Sequence, residues 1–442
     1  MSKGGASLYE RDQQALSKMS FLRFFPLAVT GGDGAWLTGD DGRRLLDFSA
    51  SWGAAALGHS NPALREAVNR ALASQAAASH LSSANLPAVE LAERLLEIVP
   101  QRARGRVWLG HSGSDANETV ARAVVAATGR PRIISFKGAY HGGTSGSMAI
   151  SGHPVQQGVP KAAGLSLVPY PNAYRDGGAE PAGKAALAEL EALFAGSVPP
   201  QEVAALFLEP IQSDGGMLVP PDTYFRSVEA LCRKHGILIV SDEVKVGLGR
   251  TGRFNAFEHL GIEPDTVVFG KGLGGGLPLS AAVGPEAIMN HAAAFSFQTV
   301  HGNAISAAAG CAVLDTIASD GLVANAAETG AHLRMRLEGL KQKHALVGDV
   351  RGRGLAIGVE LVTDRATKTP AKTETALAVL RAFELGLVLY YVGVSSNVLE
   401  FTPPLTLTKA EVEIGVDLLD RALTDVAAGR VDAASAAAFS GW

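Results

Sequence analysis

Residues 237–276 read ILIVSDEVKVGLGRTGRFNAFEHLGIEPDTVVFGKGLGGG, and this stretch decides the fold. The apolar run Ile237–Val240 ends in Asp242 and Glu243; a second run, Val267–Phe269, ends in Gly270-Lys271-Gly272. Short uncharged runs of this kind, rich in β-branched residues, fit strands buried on both faces of a parallel sheet. Open α/β sheets bind their ligands beyond the carboxyl ends of the strands, which is where this acid and this lysine fall.

Working outward, strands and helices alternate. Arg106–Leu109, Arg132–Phe136, Leu165–Val168 and Val203–Leu208 have strand character, and helical patterns run over Asp115–Ala127, Lys184–Phe194 and Pro221–His235. This rhythm predicts an α/β fold with a mostly parallel central sheet sandwiched by helices. After Asp320 the pattern changes to a helix reaching His344, a strand in Leu355–Val362, a helix over Glu374–Leu385, strands at Leu387–Tyr391 and Val398–Phe401, and a helix from Lys409. The expected division is an N-terminal segment, 1–65, joining a small domain; a large domain, 66–319; and a C-terminal α+β domain, 320–442.

An acid and a lysine at neighbouring strand ends have a specific chemical use. A lysine amine forms a Schiff base with a cofactor aldehyde, and a carboxylate keeps a pyridine nitrogen protonated so that the ring withdraws electrons. Lys271 and Asp242 suit pyridoxal 5'-phosphate. Gly110-His111-Ser112-Gly113-Ser114-Asp115, between a strand and a helix, presents N–H groups and a helix dipole to a phosphate. Alone, such a loop is a tight turn with an N-cap; upstream of the acid and the lysine it reads as a phosphate site. Tyr140, after the next strand, is placed either to stack on a flat ring or to cover a sheet edge. Glu209 and Asp214 follow the strand at Val203–Leu208, where acids before a Gly-Gly turn serve as turn formers or as site residues.

Composition narrows the partners. The formal charge of −4 gives no electrostatic reason to expect nucleic acid or an anionic membrane. Cys232 and Cys311 have neither disulfide-framework nor zinc spacing, so no metal is expected. The opening residues contain no apolar signal core and no later run has membrane-spanning character, so a cytoplasmic protein is the expectation.

In order along the chain, GSDAN (113–117), YHGG (140–143), EPIQSDGG (209–216), SDEVKVGLGRTG (241–252), FGKGLGGG (269–276) and QTVHGN (298–303) resemble the class III family of pyridoxal phosphate aminotransferases, fold type I. The resemblance implies a homodimer with active sites at the subunit interface. It implies Lys271 as the Schiff-base lysine, Asp242 on the pyridine nitrogen, Tyr140 over the ring, and Gly113 and Ser114 on the phosphate. Thr299 would reach the phosphate from the other subunit.

Three departures from the family pattern carry the functional reading. Lys245 stands where the family usually has Gln, near the phenolic oxygen of the cofactor. Glu400 stands in NVLEFTPPL (397–405), where members that use amino acids carry an Arg for the substrate α-carboxylate. Two unit charges ~4 Å apart at a protein-like dielectric interact by several kcal/mol, so Glu400 would repel a carboxylate unless it points away. Asp214 replaces a more usual Glu. With LRFFPLA (22–28), SWGAAALG (51–58) and LYYVGVSSNVLEFTPPLT (389–406), these features resemble the members of the family that racemise α-amino-ε-caprolactam and α-amino acid amides. There Lys271 and Asp214 would exchange the α-proton on opposite faces, with Tyr140, Trp52 and Glu400 around a small-molecule substrate. The rival readings are an aminotransferase with an amine or amino acid donor and a keto acceptor, a decarboxylase relative, and a non-catalytic binding protein.

Overall fold

The computed structural model describes residues 6–74, 78–437 and 439. The first five residues of the N-terminal segment and Gly441-Trp442 at the end of the tail lie outside them. The central sheet has seven strands. Their spatial order is Arg106–Gly110, Ser280–Gly284, Thr266–Phe269, Leu238–Asp242, Val203–Leu208, Arg132–Phe136 and Leu165–Val168. The last five of these run parallel to one another. Ser280–Gly284 is antiparallel to both of its neighbours, which returns Arg106–Gly110 to the direction of the rest. Val203–Leu208, Thr266–Phe269 and Ser280–Gly284 are buried along their whole length, as strands covered on both faces must be. The α/β prediction therefore holds, with one antiparallel strand added to it.

Ser280–Gly284 was missed because SAAVG is small and featureless, with neither alternation nor β-branched density. The strand Val347–Arg353 was also missed, since its inward positions are shared with glycines and its outward ones with arginines. The helix Ala304–Ser319 has apolar residues all round, buried on most sides, so it lacks the one-sided stripe that marks a surface helix. Among the described residues no single helix is long and apolar enough to cross a membrane.

The N-terminal segment and the C-terminal α+β region meet. Val29–Asp33, Trp36–Gly39 and Arg44–Asp47 form an antiparallel meander, and Leu387–Val388 pairs in parallel with Arg44–Asp47. A further sheet takes the order Val347–Arg353, Ala356–Asp364, Val398–Phe401, Tyr390–Val392. These pairings support, as a proposal, the division into 1–65, 66–319 and 320–442. Their effect is to bring Trp52 and Glu400 to the carboxyl edge of the central sheet.

Candidate active site

A cavity of about 470 Å³ opens at that edge, lined by Gly113, Ser114, Tyr140, Glu209, Asp214, Asp242, Lys245 and Lys271 among others. Eight of the eleven residues expected at the site thus line one cavity. Trp52 and Glu400 stand behind it, against Lys245. Thr299 is exposed on the loop before Ala304–Ser319 and does not line this chain's cavity.

The phosphate end is the start of the helix Gly113–Thr128. Ser112 caps it in a reciprocal box, its Oγ accepting from Asp115 N–H while Asp115 accepts from Ser112 N–H. Glycine is required in two places. A Cβ on Gly113 would lie 2.6 Å from Val244 Cγ1, and one on Gly142, whose φ is +132°, would lie 2.5 Å from Ser114 Oγ. Small residues therefore leave the helix start bare to the cavity, with Gly143 N–H donating to Ser114 Oγ at 3.0 Å.

Asp242 ends the central strand in a dense set of hydrogen bonds. Its Oδ2 accepts from Asn117 Nδ2 at 2.7 Å and from His141 Nδ1 at 2.8 Å, and its Oδ1 accepts from Val244 N–H at 3.1 Å. His141 is fully enclosed, and its Nε2 meets Ser135 Oγ at 3.2 Å. Asn117 and His141 lie inside GSDAN and YHGG but carried no role in the sequence reading. Their only signal was polarity in otherwise buried segments.

Lys271 follows the adjacent strand with a φ of +39°, a left-handed conformation costly for a side-chain-bearing residue and often found at functional sites. Burial first, and Lys245 second, hold its pKa below the usual lysine range.

The opposite wall is held by charge. Lys245 Nζ lies 3.2 Å from Asp214 Oδ1 and 2.5 Å from Glu400 Oε1, with all three side chains buried. The contact with Glu400 is electrostatic: the ammonium approaches outside hydrogen-bond geometry, and neither Glu400 oxygen receives a well-directed donor. Burial works against the Lys245 ammonium, but Asp214 and Glu400 outweigh it and hold its pKa above the usual value. Burial likewise opposes the Asp214 carboxylate, yet Lys245 and Lys271 keep its pKa low. Burial raises Glu400, against the pull of Lys245. Glu400 therefore neither points away nor faces the cavity directly; it acts on the site through Lys245.

Trp52 completes this corner, its ring 4.8 Å from Lys245 Nζ. It sits in a run of left-handed residues, Ala50, Ser51 and Trp52, with φ of 44°, 51° and 63°. Asp47 secures the entry to that run, accepting from Ser49 N–H at 2.8 Å and Ala50 N–H at 2.9 Å.

His111, Asp115 and His301 gather near the phosphate end. His301 Nδ1 accepts from Gln298 N–H at 3.2 Å, so its proton is on Nε2, which faces Asp115 Oδ2 at 3.7 Å. That tautomer turns an N–H rather than a lone pair toward Asp115, without a hydrogen bond between them.

Residues 21–423 match the family model described as aminotransferase class-III, and the chain belongs to that family. It is 37% identical to an alanine/serine racemase of Pyrococcus horikoshii, over 96% of this chain and 91% of that one. It is 36% identical to a leucine/methionine racemase of Thermococcus litoralis, over 98% and 99% of the two chains. Among solved structures, the omega transaminase of Pseudomonas jessenii in complex with PMP superposes with a TM-score of 0.88 at 32% identity, covering 96% of this chain and 100% of that one. The protein is thus an enzyme of the fold type I class. Pyridoxal 5'-phosphate is the cofactor of the family, and the bared helix start, the hydrogen-bonded Asp242 and the strained Lys271 fit it.

Proposed function

We propose that this enzyme is a racemase of α-amino-ε-caprolactam and α-amino acid amides. The observation that carries the reading is the placement of Lys245 between Asp214 and Glu400. Lys245 and Lys271 are the only lysines or arginines among the described residues of the cavity wall. Lys271 is reserved for the cofactor, and Lys245 is already matched by two carboxylates. Among the described residues of the wall there is no guanidinium clamp for a substrate carboxylate, whereas a neutral amide carbonyl can accept from Lys245 without upsetting the balance of charge.

Bound through Lys271, pyridoxal phosphate supplies an electron sink that makes the substrate's α-C–H bond acidic. The residues do the rest. Gly113 and Ser114 would hold the phosphate, Asp242 would keep the ring nitrogen protonated, and Tyr140 would cover the ring. Burial and Lys245 hold the Lys271 pKa below the usual lysine range, which favours its Nζ as the group that takes the α-proton. Asp214, beside Lys245, is the second base; it removes the α-proton of the other enantiomer, and when Lys271 takes the proton instead, Asp214 delivers to the opposite face a proton drawn from solvent while Lys271 releases its own to solvent. The amino group stays on the substrate throughout, so no keto acceptor is consumed.

A homodimer fits the same surface. Leu81, Leu86, Val89, Phe297 and Val300 are exposed large hydrophobics on two segments bonded to each other, with Asn85 Nδ2 donating to Gly302 O and Asn303 Nδ2 to Ala78 O. A second copy on this face would bury them and bring Thr299 toward its partner. Both cysteines are free, buried thiols, which supports a reducing, cytoplasmic setting.

Transfer of the amino group to a keto acceptor is the second reading, favoured by the match to the transaminase structure. The two separate in one incubation. Enantiopure α-amino-ε-caprolactam, given to the holoenzyme without a keto acid, becomes racemic by chiral chromatography under the first reading. A strict need for a keto acid, with a cyclic keto product, would overturn it.

A further inference from the structure

Two buried glutamates leave adjacent strands of the central sheet, and they are wired differently. Glu243 accepts from Ala256 N–H at 2.7 Å, Phe257 N–H at 2.9 Å and Ser241 Oγ at 3.1 Å. None of these partners lines the cavity, so Glu243 fastens a loop. Glu209 lines the cavity, yet both of its oxygens are used inside the protein. Oε1 accepts from Tyr140 N–H at 3.0 Å, and Oε2 accepts from Ser213 N–H at 3.1 Å and Ser213 Oγ at 3.2 Å.

One carboxylate thereby spans the two loops that carry Tyr140 and Asp214. The turn beyond it is fixed separately, Asp214 O accepting from Gly393 N–H at 2.9 Å and bonding His153 Nε2 at 3.2 Å. The start of the turn hangs on Glu209. Gly215 leaves no slack there, since a Cβ on it would come within 2.2 Å of Gln212 Oε1.

We propose that Glu209 is a positioning residue that sets the spacing between Tyr140, over the ring, and Asp214, the base on the second face. This rests on the racemase reading. Two-base racemisation needs Asp214 to reach the same carbon as Lys271, whereas exchange at the Lys271 face does not. A change of spacing therefore affects inversion more than exchange with retention.

Glu209→Gln keeps the shape of the side chain but turns an amide N–H₂ toward one of the two backbone N–H groups, so one loop must move. The holoenzyme is incubated with an enantiopure amino acid amide in deuterated water. Inversion is followed by chiral chromatography, and α-deuterium in the retained enantiomer by mass spectrometry. The ratio of inversion to retained exchange should fall about tenfold or more in Glu209→Gln. Glu243→Gln, with a lowered melting temperature, should keep the wild-type ratio. If Glu209→Gln does not fold, Ser213→Ala removes one bond from the same carboxylate and should lower the ratio in the same direction. An unchanged ratio in Glu209→Gln, or in Ser213→Ala where that variant must serve, overturns the proposal. A wild-type enzyme showing neither inversion nor exchange removes the racemase reading itself, and this proposal with it.

Discussion

The two acid-bearing corners of the cavity are held in place by different physics. At Asp242 the partners are well-directed donors at 2.7 to 3.1 Å, from Asn117, His141 and the Val244 backbone. At Asp214 the partner is an ammonium shared with a second carboxylate, under the face of Trp52. The first corner holds one carboxylate by directed hydrogen bonds. The second is a balance in which each member's state depends on the others. Cofactor chemistry needs the former; a site that selects substrates by charge can be built from the latter.

The comparison can be broken from either side. Asp242→Asn leaves the hydrogen-bonded frame but removes its charge, so the ring nitrogen loses its counter-ion. Steady-state racemisation should drop by about a thousandfold, in kcat more than in KM. A loss below tenfold would mean that Asp242 is structural.

At the other corner, Lys245→Gln strands two buried carboxylates beside each other. Removing one partner from a buried ion cluster costs about 3–5 kcal/mol, so a large fall in the urea midpoint is expected, partly restored in the double variant with Glu400→Gln. With a keto acid present, the single variant should also show a rise in amino transfer, since Lys245 occupies the position that the family gives to Gln, near the phenolic oxygen of the cofactor. No rise would remove Lys245 from the choice between reactions.

The smallest effect comes from a carboxylate outside both corners. Burial pushes Glu243 up to about 7. The folded chain then holds a proton that the unfolded chain has already lost above the ordinary carboxylate range. The stability this group contributes is full below that range and lost as pH rises through about 7, a change of ~3 kcal/mol at most. Glu243→Gln does not titrate, so its deficit in melting temperature should narrow between about pH 5 and pH 8. A constant gap would contradict the raised pKa.

The cofactor corner was largely legible in the sequence because its residues sit at strand ends and helix starts, where local pattern dictates position. Asp242, Lys271, Gly113 and Ser114 are of this kind. The partners of Asp242 were not legible: Asn117 and His141 are 125 and 101 residues from it, and spacing says nothing about which buried polar groups meet. The substrate corner was legible only as two anomalies, Lys245 and Glu400, each a departure from a familiar pattern. That they neutralise one another required the fold. The strand Ser280–Gly284 lay hidden for a related reason, since small residues fit either secondary structure and only the gap between two strands makes them one.

The functional reading turns on the claim that no lysine or arginine among the described residues of the cavity wall is left free for a substrate carboxylate. It is tested most directly by giving the holoenzyme enantiopure leucine amide and enantiopure leucine side by side in deuterated water, without a keto acid, and following α-deuterium by proton NMR together with optical rotation. The expected result is loss of rotation with deuterium uptake for the amide, at least about tenfold faster than for the free acid. Faster exchange of leucine than of its amide would contradict it.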